Sequence, residues 1–166
     1  MGKNIVLIGL PGSGKTTVGQ ILAKTMGIPL CDTDEMIVKK EGRSISEIFA
    51  SDGEAYFRDV ETACVKEAAQ MQGVIIATGG GVVLRRENMN ALKKTGVVYF
   101  LDRSVKDIAK SVDVSGRPLL KDDQEKIFRI QKERDQLYRK YAHAIYSGGT
   151  PNDLAEAIQM MYEMTE

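Results

Sequence analysis

One short stretch constrains this chain more than any other: the octapeptide GLPGSGKT at residues 9–16. It fits the pattern G-x-x-x-x-G-K-[ST], which is typical of a phosphate-binding loop, or P-loop, between a strand and a helix. The flanking sequence supplies both elements. Asn4–Ile8 is a β-branched apolar run, and apolar residues at helical spacing continue from the loop to Gly27. An ordinary glycine-rich turn is the alternative, but this context favours a P-loop.

The predicted loop binds an anion through its backbone. Glycines allow consecutive N–H groups to point into one concavity, and the N-terminus of the following helix adds the positive end of its dipole. Lys15 is expected to reach the β- and γ-phosphates of a nucleotide, and the hydroxyl of Thr16 is expected to ligate Mg²⁺. The residues expected to contact the nucleotide from this segment are Gly12, Ser13, Gly14, Lys15, Thr16 and Thr17.

Composition excludes several classes of protein. The chain has 166 residues, 43% of them hydrophobic and 28% charged, which predicts a single globular domain over 1–166. Its net charge of zero argues against a nucleic-acid partner, and no apolar run approaches the ~20 residues of a membrane helix. Cys31 and Cys64 form no CxxC pair, and His143 is the only histidine, a surface or core residue rather than a catalytic one. We expect reduced thiols and a cytoplasmic location.

Two carboxylates follow the predicted second strand. Leu30 and Cys31 lead into the tripeptide DTD at 32–34, from which a helix continues to Gly42. Acidic residues there are often only complements of the helix dipole. Ligands of open α/β sheets, however, bind beyond the carboxyl ends of the strands. We therefore expect Asp32 to hold a Mg²⁺-bound water and Asp34 to face a phosphate acceptor.

The predicted third strand, 74–77, ends without an aspartate. P-loop ATPases and switch GTPases normally carry a metal-binding aspartate there, so its absence argues against both classes. Asp32 is then the residue expected to bind the metal. Gly79, Gly80 and Gly81 follow instead, and they would let the backbone approach a ligand closely. A flexible turn is the alternative interpretation.

Extra helices lie between the second and third strands. A capping box at 44–47 begins a short helix, 52–53 interrupt it, and a long helix follows from about 54 to 70. Arg58 and Glu61 lie one turn apart on it, a spacing that by itself predicts a solvated ion pair. The remaining predicted elements are a helix at 87–94, a strand at 97–101, a helix from 104 to about 112, a helix at 124–140, a strand at 144–146 and a helix from 151.

Strands alternating with helices predict a parallel sheet with helices on both faces. The extra helices between the second and third strands form an insertion suited to a second substrate. The polar segment 113–123, with Arg117 at its centre, is predicted to be a mobile lid loop that closes over the site.

Taken together, these features resemble the shikimate kinase family along nearly the whole chain. The matching motifs are GLPGSGKT at 9–16, DTD at 32–34, GRSI at 42–45, EIF at 47–49, GE at 53–54, FR at 57–58, GGG at 79–81, RPLL at 117–120, ER at 133–134 and LY at 137–138. The resemblance implies a three-layer αβα P-loop kinase of the nucleoside-monophosphate-kinase type, with five parallel strands in the order 2-3-1-4-5. It also implies ATP- and Mg²⁺-dependent phosphorylation of the 3-hydroxyl of shikimate, a step of chorismate and aromatic amino acid biosynthesis.

The resemblance also implies roles for individual residues. Arg117 would be the lid arginine, within a lid at about 112–123, and the substrate-binding insertion would span about 33–61. Lys15 and Arg117 would stabilise the charge of the transferred phosphoryl group, and Asp34 would orient the attacking hydroxyl. Residues implied to bind shikimate are Asp34, Arg58, Gly79, Gly80, Gly81 and Arg134. Two arginines for a carboxylate and one aspartate for hydroxyls suit this substrate.

The chain departs from the family pattern at three places. Lys110 replaces an arginine that stacks near adenine in many members, and we expect it to contact the nucleotide. Gln136 replaces a proline, and the sequence SGGT at 147–150 replaces the usual Asp-Thr. Two other functions stay open: a kinase for another small carboxylate such as gluconate, and a nucleotide-binding protein without turnover. We expect a monomer.

Overall fold

The computed structural model describes residues 2–110 and 121–165. Its strands are β1 (Asn4–Ile8), β2 (Leu30–Asp32), β3 (Ile75–Ala77), β4 (Gly96–Asp102) and β5 (Ala144–Ser147). They form one parallel sheet in the order β2-β3-β1-β4-β5, which confirms the predicted sheet.

Seven α-helices surround this sheet within the described residues. They are α1 (Lys15–Met26), α2 (Thr33–Glu41), α3 (Ile45–Ala69), α4 (Arg86–Thr95), α5 (Val105–Ala109), α6 (Lys121–Tyr141) and α7 (Pro151–Thr165). A short 3-10 helix at Val82–Leu84 was not apparent from the sequence pattern.

Local chemistry explains where several helices begin and end. The carboxylate of Asp32 caps α2, and Ser44 forms the predicted capping box with Glu47 at the start of α3. Gly27 and Gly42 end α1 and α2 in the left-handed region, at φ 67° and 69°, which glycine adopts without a Cβ clash. None of the helices in the described ranges is long and apolar enough to cross a membrane.

The predicted interruption of the insertion helices is confirmed at Gly53. This residue has φ 84° and ψ 175°, so α3 consists of two helical segments joined by a kink. Helix α5 ends at Ala109 rather than near 112.

The predicted lid is wrong at its carboxyl end, because 121–123 belong to α6. Acidic residues such as Asp123 suit the first turn of a helix as well as they suit a polar loop. Residues 111–120, with Arg117, lie outside the described residues.

Apolar residues alternate along the strands and form two cores, one on each face of the sheet. Val6 and Ile8 of β1 face one core, and Ile5 and Leu7 face the other. The first core contains Val65, Leu92 and Tyr138 from α3, α4 and α6. The second contains Val18, Leu22 and Ile158 from α1 and α7. The result is the expected three-layer αβα arrangement, with the carboxyl ends of all strands at one edge.

Candidate active site

The P-loop lies at the carboxyl end of β1 and folds around the ammonium group of Lys15. Lys15 Nζ donates to the carbonyl oxygens of Gly9 at 2.7 Å and Leu10 at 2.9 Å. Burial lowers the pKa of Lys15 to about 8. Gly14, at φ 96°, sits where α1 begins, so the free N–H groups of the helix start open into the loop. The arrangement is suited to binding phosphate.

Asp32 connects the end of β2 to the P-loop. Its Oδ2 accepts a hydrogen bond from the Thr16 hydroxyl at 3.1 Å, while its Oδ1 accepts from the backbone N–H of Asp34 at 2.9 Å. Asp32 is therefore both a helix cap and a neighbour of the loop. The described residues contain no cluster of three or more His, Cys, Asp or Glu side chains suited to a metal. A hydroxyl beside one carboxylate instead suits a hard cation that keeps most of its water ligands.

Asp34 is the second carboxylate at the end of β2. Burial, followed by repulsion from Asp32 and Glu61, raises the pKa of Asp34 to about 6, against the opposing effect of the cations Lys15 and Arg58. A Cβ atom on Gly79 would lie 2.7 Å from Asp34 Oδ1. A side chain at that position would displace the carboxylate.

Glu61 is buried and Arg58 is largely buried, so this pair is not the solvated pair that spacing along the helix alone predicts. Arg58 Nη1 donates to Glu61 Oε1 at 2.9 Å, and the Glu61 side chain is 1% exposed. Burial raises the pKa of Glu61, while Arg58 and Arg134 both act to lower it. Glu61 Oε2 has no hydrogen-bond partner among the described residues. Spacing along a helix could not reveal this burial, and Glu61 was not among the predicted site residues.

Helix α6 brings Arg134 and Tyr138 to the same region. Arg134 Nε is buried and has no hydrogen-bond partner in the described part of the chain. The Tyr138 hydroxyl donates to the carbonyl oxygen of Gly80 at 2.6 Å, and burial raises its pKa to about 12. Tyr138 matched a family motif, but no pattern in the sequence indicated this contact.

The three consecutive glycines lie close to the functional side chains. A Cβ atom on Gly80 would lie 2.7 Å from Cδ of Pro11 in the P-loop, and one on Gly81 would lie 2.6 Å from Cζ of Arg58. The glycine turn therefore packs closely against other residues of the site, and its approach to a ligand stays a prediction.

A cavity of about 690 Å³ adjoins the P-loop on its β4 and β5 side. Ser13 and Gly14 line it at the loop, together with Lys110, which was predicted to contact the nucleotide, and Arg103, which was not. The glycines of the 147–150 loop line it as well. A second cavity of about 340 Å³ is lined by Asp32, Asp34, Glu35, Val38 and Lys39.

The structure brings most of the predicted residues to one edge of the sheet. Those at or beside the site are Gly12, Ser13, Gly14, Lys15, Thr16, Asp32, Asp34, Arg58, Gly79, Gly80, Gly81, Lys110 and Arg134. Thr17 lies exposed in the first turn of α1. His143 takes no part: its Nδ1 accepts from the backbone N–H of Val98 at 2.9 Å.

The sheet order and the P-loop place this chain among the P-loop kinases of the nucleoside-monophosphate-kinase type. Residues 11–164 match the family model described as shikimate kinase. The chain belongs to the shikimate kinase family, whose members are ATP-dependent kinases.

Individual relatives agree with this assignment. The shikimate kinase of Clostridium botulinum strain Eklund 17B is 45% identical over 153 residues, which are 92% of each chain. The solved structure of Acinetobacter baumannii shikimate kinase in complex with shikimate has a TM-score of 0.91 and 33% identity, and covers 100% of this chain and 96% of its own. A gluconokinase from Sinorhizobium meliloti has a TM-score of 0.61 at 15% identity, covering 98% of this chain and 95% of its own, which shows the shared fold alone.

Proposed function

We propose that this protein transfers the γ-phosphate of ATP to the 3-hydroxyl group of shikimate and releases ADP and shikimate 3-phosphate. The observation that carries the proposal is the cluster of Arg58, Arg134 and Asp34 beside the P-loop. Arg58 and Arg134 both act on the pKa of the buried Glu61 carboxylate, and Arg58 also acts on Asp34. Two guanidinium groups suit a substrate carboxylate, and a carboxylate suits substrate hydroxyls.

The acceptor side contains polar atoms that a bound ligand would satisfy. Arg134 Nε is buried without a partner, and an unpaired donor of this kind costs free energy unless a ligand binds it. Arg58 forms an ion pair with Glu61, and its positive charge lies near Asp34 and Gly81. The carboxylate of shikimate would bind both arginines, and its ring hydroxyls would bind Asp34 and the backbone of the glycine turn.

The donor side is the P-loop with its adjoining cavity. The triphosphate would bind the loop and Lys15, while the base and ribose would lie in the 690 Å³ cavity near Lys110. Thr16 and Asp32, which lie 3.1 Å apart at their oxygens, would hold Mg²⁺ through the hydroxyl and a bound water. When bound, this ion supplies charge neutralisation for the phosphates. Arg117 would close over them from the lid.

The chemistry requires positioning more than activation of the nucleophile, since the transition state of phosphoryl transfer is loose. Asp34, with a pKa of about 6, is ionised at neutral pH and can accept the hydrogen bond of the attacking hydroxyl. Lys15 remains cationic below a pH of about 8 and can stabilise the negative charge of the transferred phosphoryl group. The proposal includes a cytoplasmic location and a monomeric state. It also assigns binding of the acceptor, shikimate, to the insertion at about 33–61. Its Cys31 and Cys64 are both free thiols.

An ATP-coupled assay with shikimate, with gluconate and with a shikimate analogue that lacks the carboxylate tests the proposal. The wild type should phosphorylate shikimate, require a divalent cation, and turn over the other two compounds poorly. Arg58→Ala and Arg134→Ala should each raise the KM for shikimate at least tens-fold, because an anion left without its partner costs on the order of 2–5 kcal/mol.

The controls separate the carboxylate contact from general damage. The KM for ATP should change little in both alanine variants, and Arg→Lys should recover only part of the loss, since an ammonium cannot form the bidentate contact. The analogue should discriminate little between wild type and the variants. If the wild type does not phosphorylate shikimate at millimolar concentration, or turns over gluconate better, the substrate assignment is wrong.

A further inference from the structure

Arg103 lies at the edge of the nucleotide cavity and has no role in the reaction proposed above. It follows β4 directly and precedes Ser104, the residue that caps α5. Its Nη1 donates to the carbonyl oxygen of Gly12 at 2.9 Å, and its Nη2 donates to that of Asp107 at 3.5 Å. The guanidinium therefore connects the P-loop to α5 and lines the cavity beside Ser13 and Gly14.

The contact at Gly12 is part of a packed junction. Gly12 has φ 82°, and a Cβ atom there would lie 3.1 Å from Cγ2 of Ile108, which is 1% exposed. Helix α5 thus supports the loop at this residue, and Arg103 is fixed against it by two hydrogen bonds. A guanidinium group carries five N–H donors, so donors remain for a ligand in the cavity.

Charged residues of both signs line the cavity, namely Arg103 and Lys110 and the carboxylates Asp102 and Asp107. Asp102 is paired with Arg139, whose Nη2 lies 2.7 Å from its Oδ2. Lys15 Nζ lies inside the loop, on the carbonyl oxygens of Gly9 and Leu10. Within the described residues, Arg103 and Lys110 are the cations that line the cavity, and Arg103 also contacts the loop, at Gly12.

We propose that Arg103 binds the phosphate group of the nucleotide that is nearest the ribose, while its second edge holds the Gly12 carbonyl away from the bound phosphates. The identity of the ligand as a nucleotide with its terminal phosphates at Lys15 rests on the proposed function. A phosphate chain that begins at Lys15 and leads to a ribose in the cavity passes the side of the loop where Arg103 lies. Arginine is suited to this contact because its planar fork can bind phosphate and carbonyl oxygens at once.

Equilibrium binding of ADP and of inorganic phosphate to Arg103→Ala tests the proposal, with calorimetry for ADP and competition against ADP for phosphate. ADP should bind about tenfold more weakly, as expected for one lost charge-assisted hydrogen bond. Inorganic phosphate is a single group that the P-loop can hold at Lys15, without a second phosphate on the ribose side, and it should bind as it does to the wild type. The KM for ATP should rise with little change in kcat, and Arg103→Lys should recover part of the affinity because it keeps the charge.

Arg86→Ala is the matched control, because Arg86 is an exposed arginine in the first turn of α4, away from the cavity. It should bind both ligands like the wild type. Equal weakening of ADP and inorganic phosphate by Arg103→Ala would mean that Arg103 only shapes the loop, and unchanged ADP binding would mean that it has no role; either result overturns the proposal. These measurements need no shikimate, so an error in the acceptor assignment leaves them valid.

Discussion

At the scale of single residues, burial moves two ionisable groups of the site toward neutrality. The pKa of Lys15 is lowered to about 8, and the pKa of Asp34 is raised to about 6. In both residues desolvation of the charged form is the largest cause. The proposed reaction needs Lys15 as a cation and Asp34 as an anion. Both conditions hold together only between these two values.

We therefore expect a bell-shaped dependence of activity on pH. The kcat/KM for shikimate should fall below pH of about 6 as Asp34 is protonated, and the kcat/KM for ATP should fall above pH of about 8 as Lys15 loses its proton. Steady-state rates from pH 5 to 9 at saturating Mg²⁺ provide the measurement. An acid limb near the ordinary aspartate pKa of about 4 would contradict the role given to Asp34.

At the scale of elements, the turn between β3 and the 3-10 helix joins the two halves of the site. Gly79, Gly80 and Gly81 leave the space that Asp34, Pro11 and Arg58 respectively occupy, and the hydroxyl of Tyr138 in α6 donates to the Gly80 carbonyl. None of these three glycines has a positive φ. They are required for the space that a side chain would fill rather than for an unusual backbone conformation.

Gly81→Ala should damage acceptor binding much more than nucleotide binding. The added methyl group would lie 2.6 Å from Cζ of Arg58 and displace its guanidinium, while φ of −94° is open to alanine. We expect the KM for shikimate to rise about tenfold or more, with the KM for ATP nearly unchanged.

Gly73→Ala is the matched comparison for Gly81→Ala. Gly73 precedes β3 at the opposite edge of the sheet and has φ 67°, so alanine there should lower the free energy of unfolding by about 1 kcal/mol without changing either KM. A Gly81→Ala variant with normal shikimate kinetics would show that the contact with Arg58 does not matter.

At the scale of the whole molecule, the site lowers the stability of the fold at neutral pH. The raised pKa values of Asp34 and Glu61 mean that the folded state disfavours their charged forms. For Asp34 the loss of folding stability is absent below its unfolded-state pKa near 3.8. It develops as the pH rises and is complete above the folded-state pKa of about 6. The two apolar cores on either face of the sheet offset it.

Asp34→Asn should consequently stabilise the protein while it removes activity. At pH 8 the free energy of unfolding should rise by about 2 kcal/mol, since each pKa unit corresponds to about 1.4 kcal/mol and part of the carboxyl remains in contact with water. The gain should shrink toward zero near pH 4. Urea denaturation of both proteins at several pH values measures it. A variant no more stable than the wild type at pH 8 would refute this linkage.

The sequence by itself determined the features that depend on neighbouring residues. The P-loop, the capping box of α3 and the interruption at Gly53 are local patterns of donors, acceptors and backbone freedom, and the structure confirms each. The alternation of strands and helices along the sequence was sufficient to predict the αβα layers. The strand order came from the resemblance, because period and propensity carry no information about which strands pair.

Only the tertiary structure decided which polar groups are buried and what they contact. The spacing of Arg58 and Glu61 is the same for a solvated pair and for a buried one, and the packing of the α2 and α3 helices with the glycine turn determined the outcome. Arg103 reaches Gly12 across 91 residues, and Tyr138 reaches Gly80 across 58. A side chain's pKa and partners depend on the elements that exclude water around it, and those elements are brought together by burial of the two cores rather than by proximity along the chain.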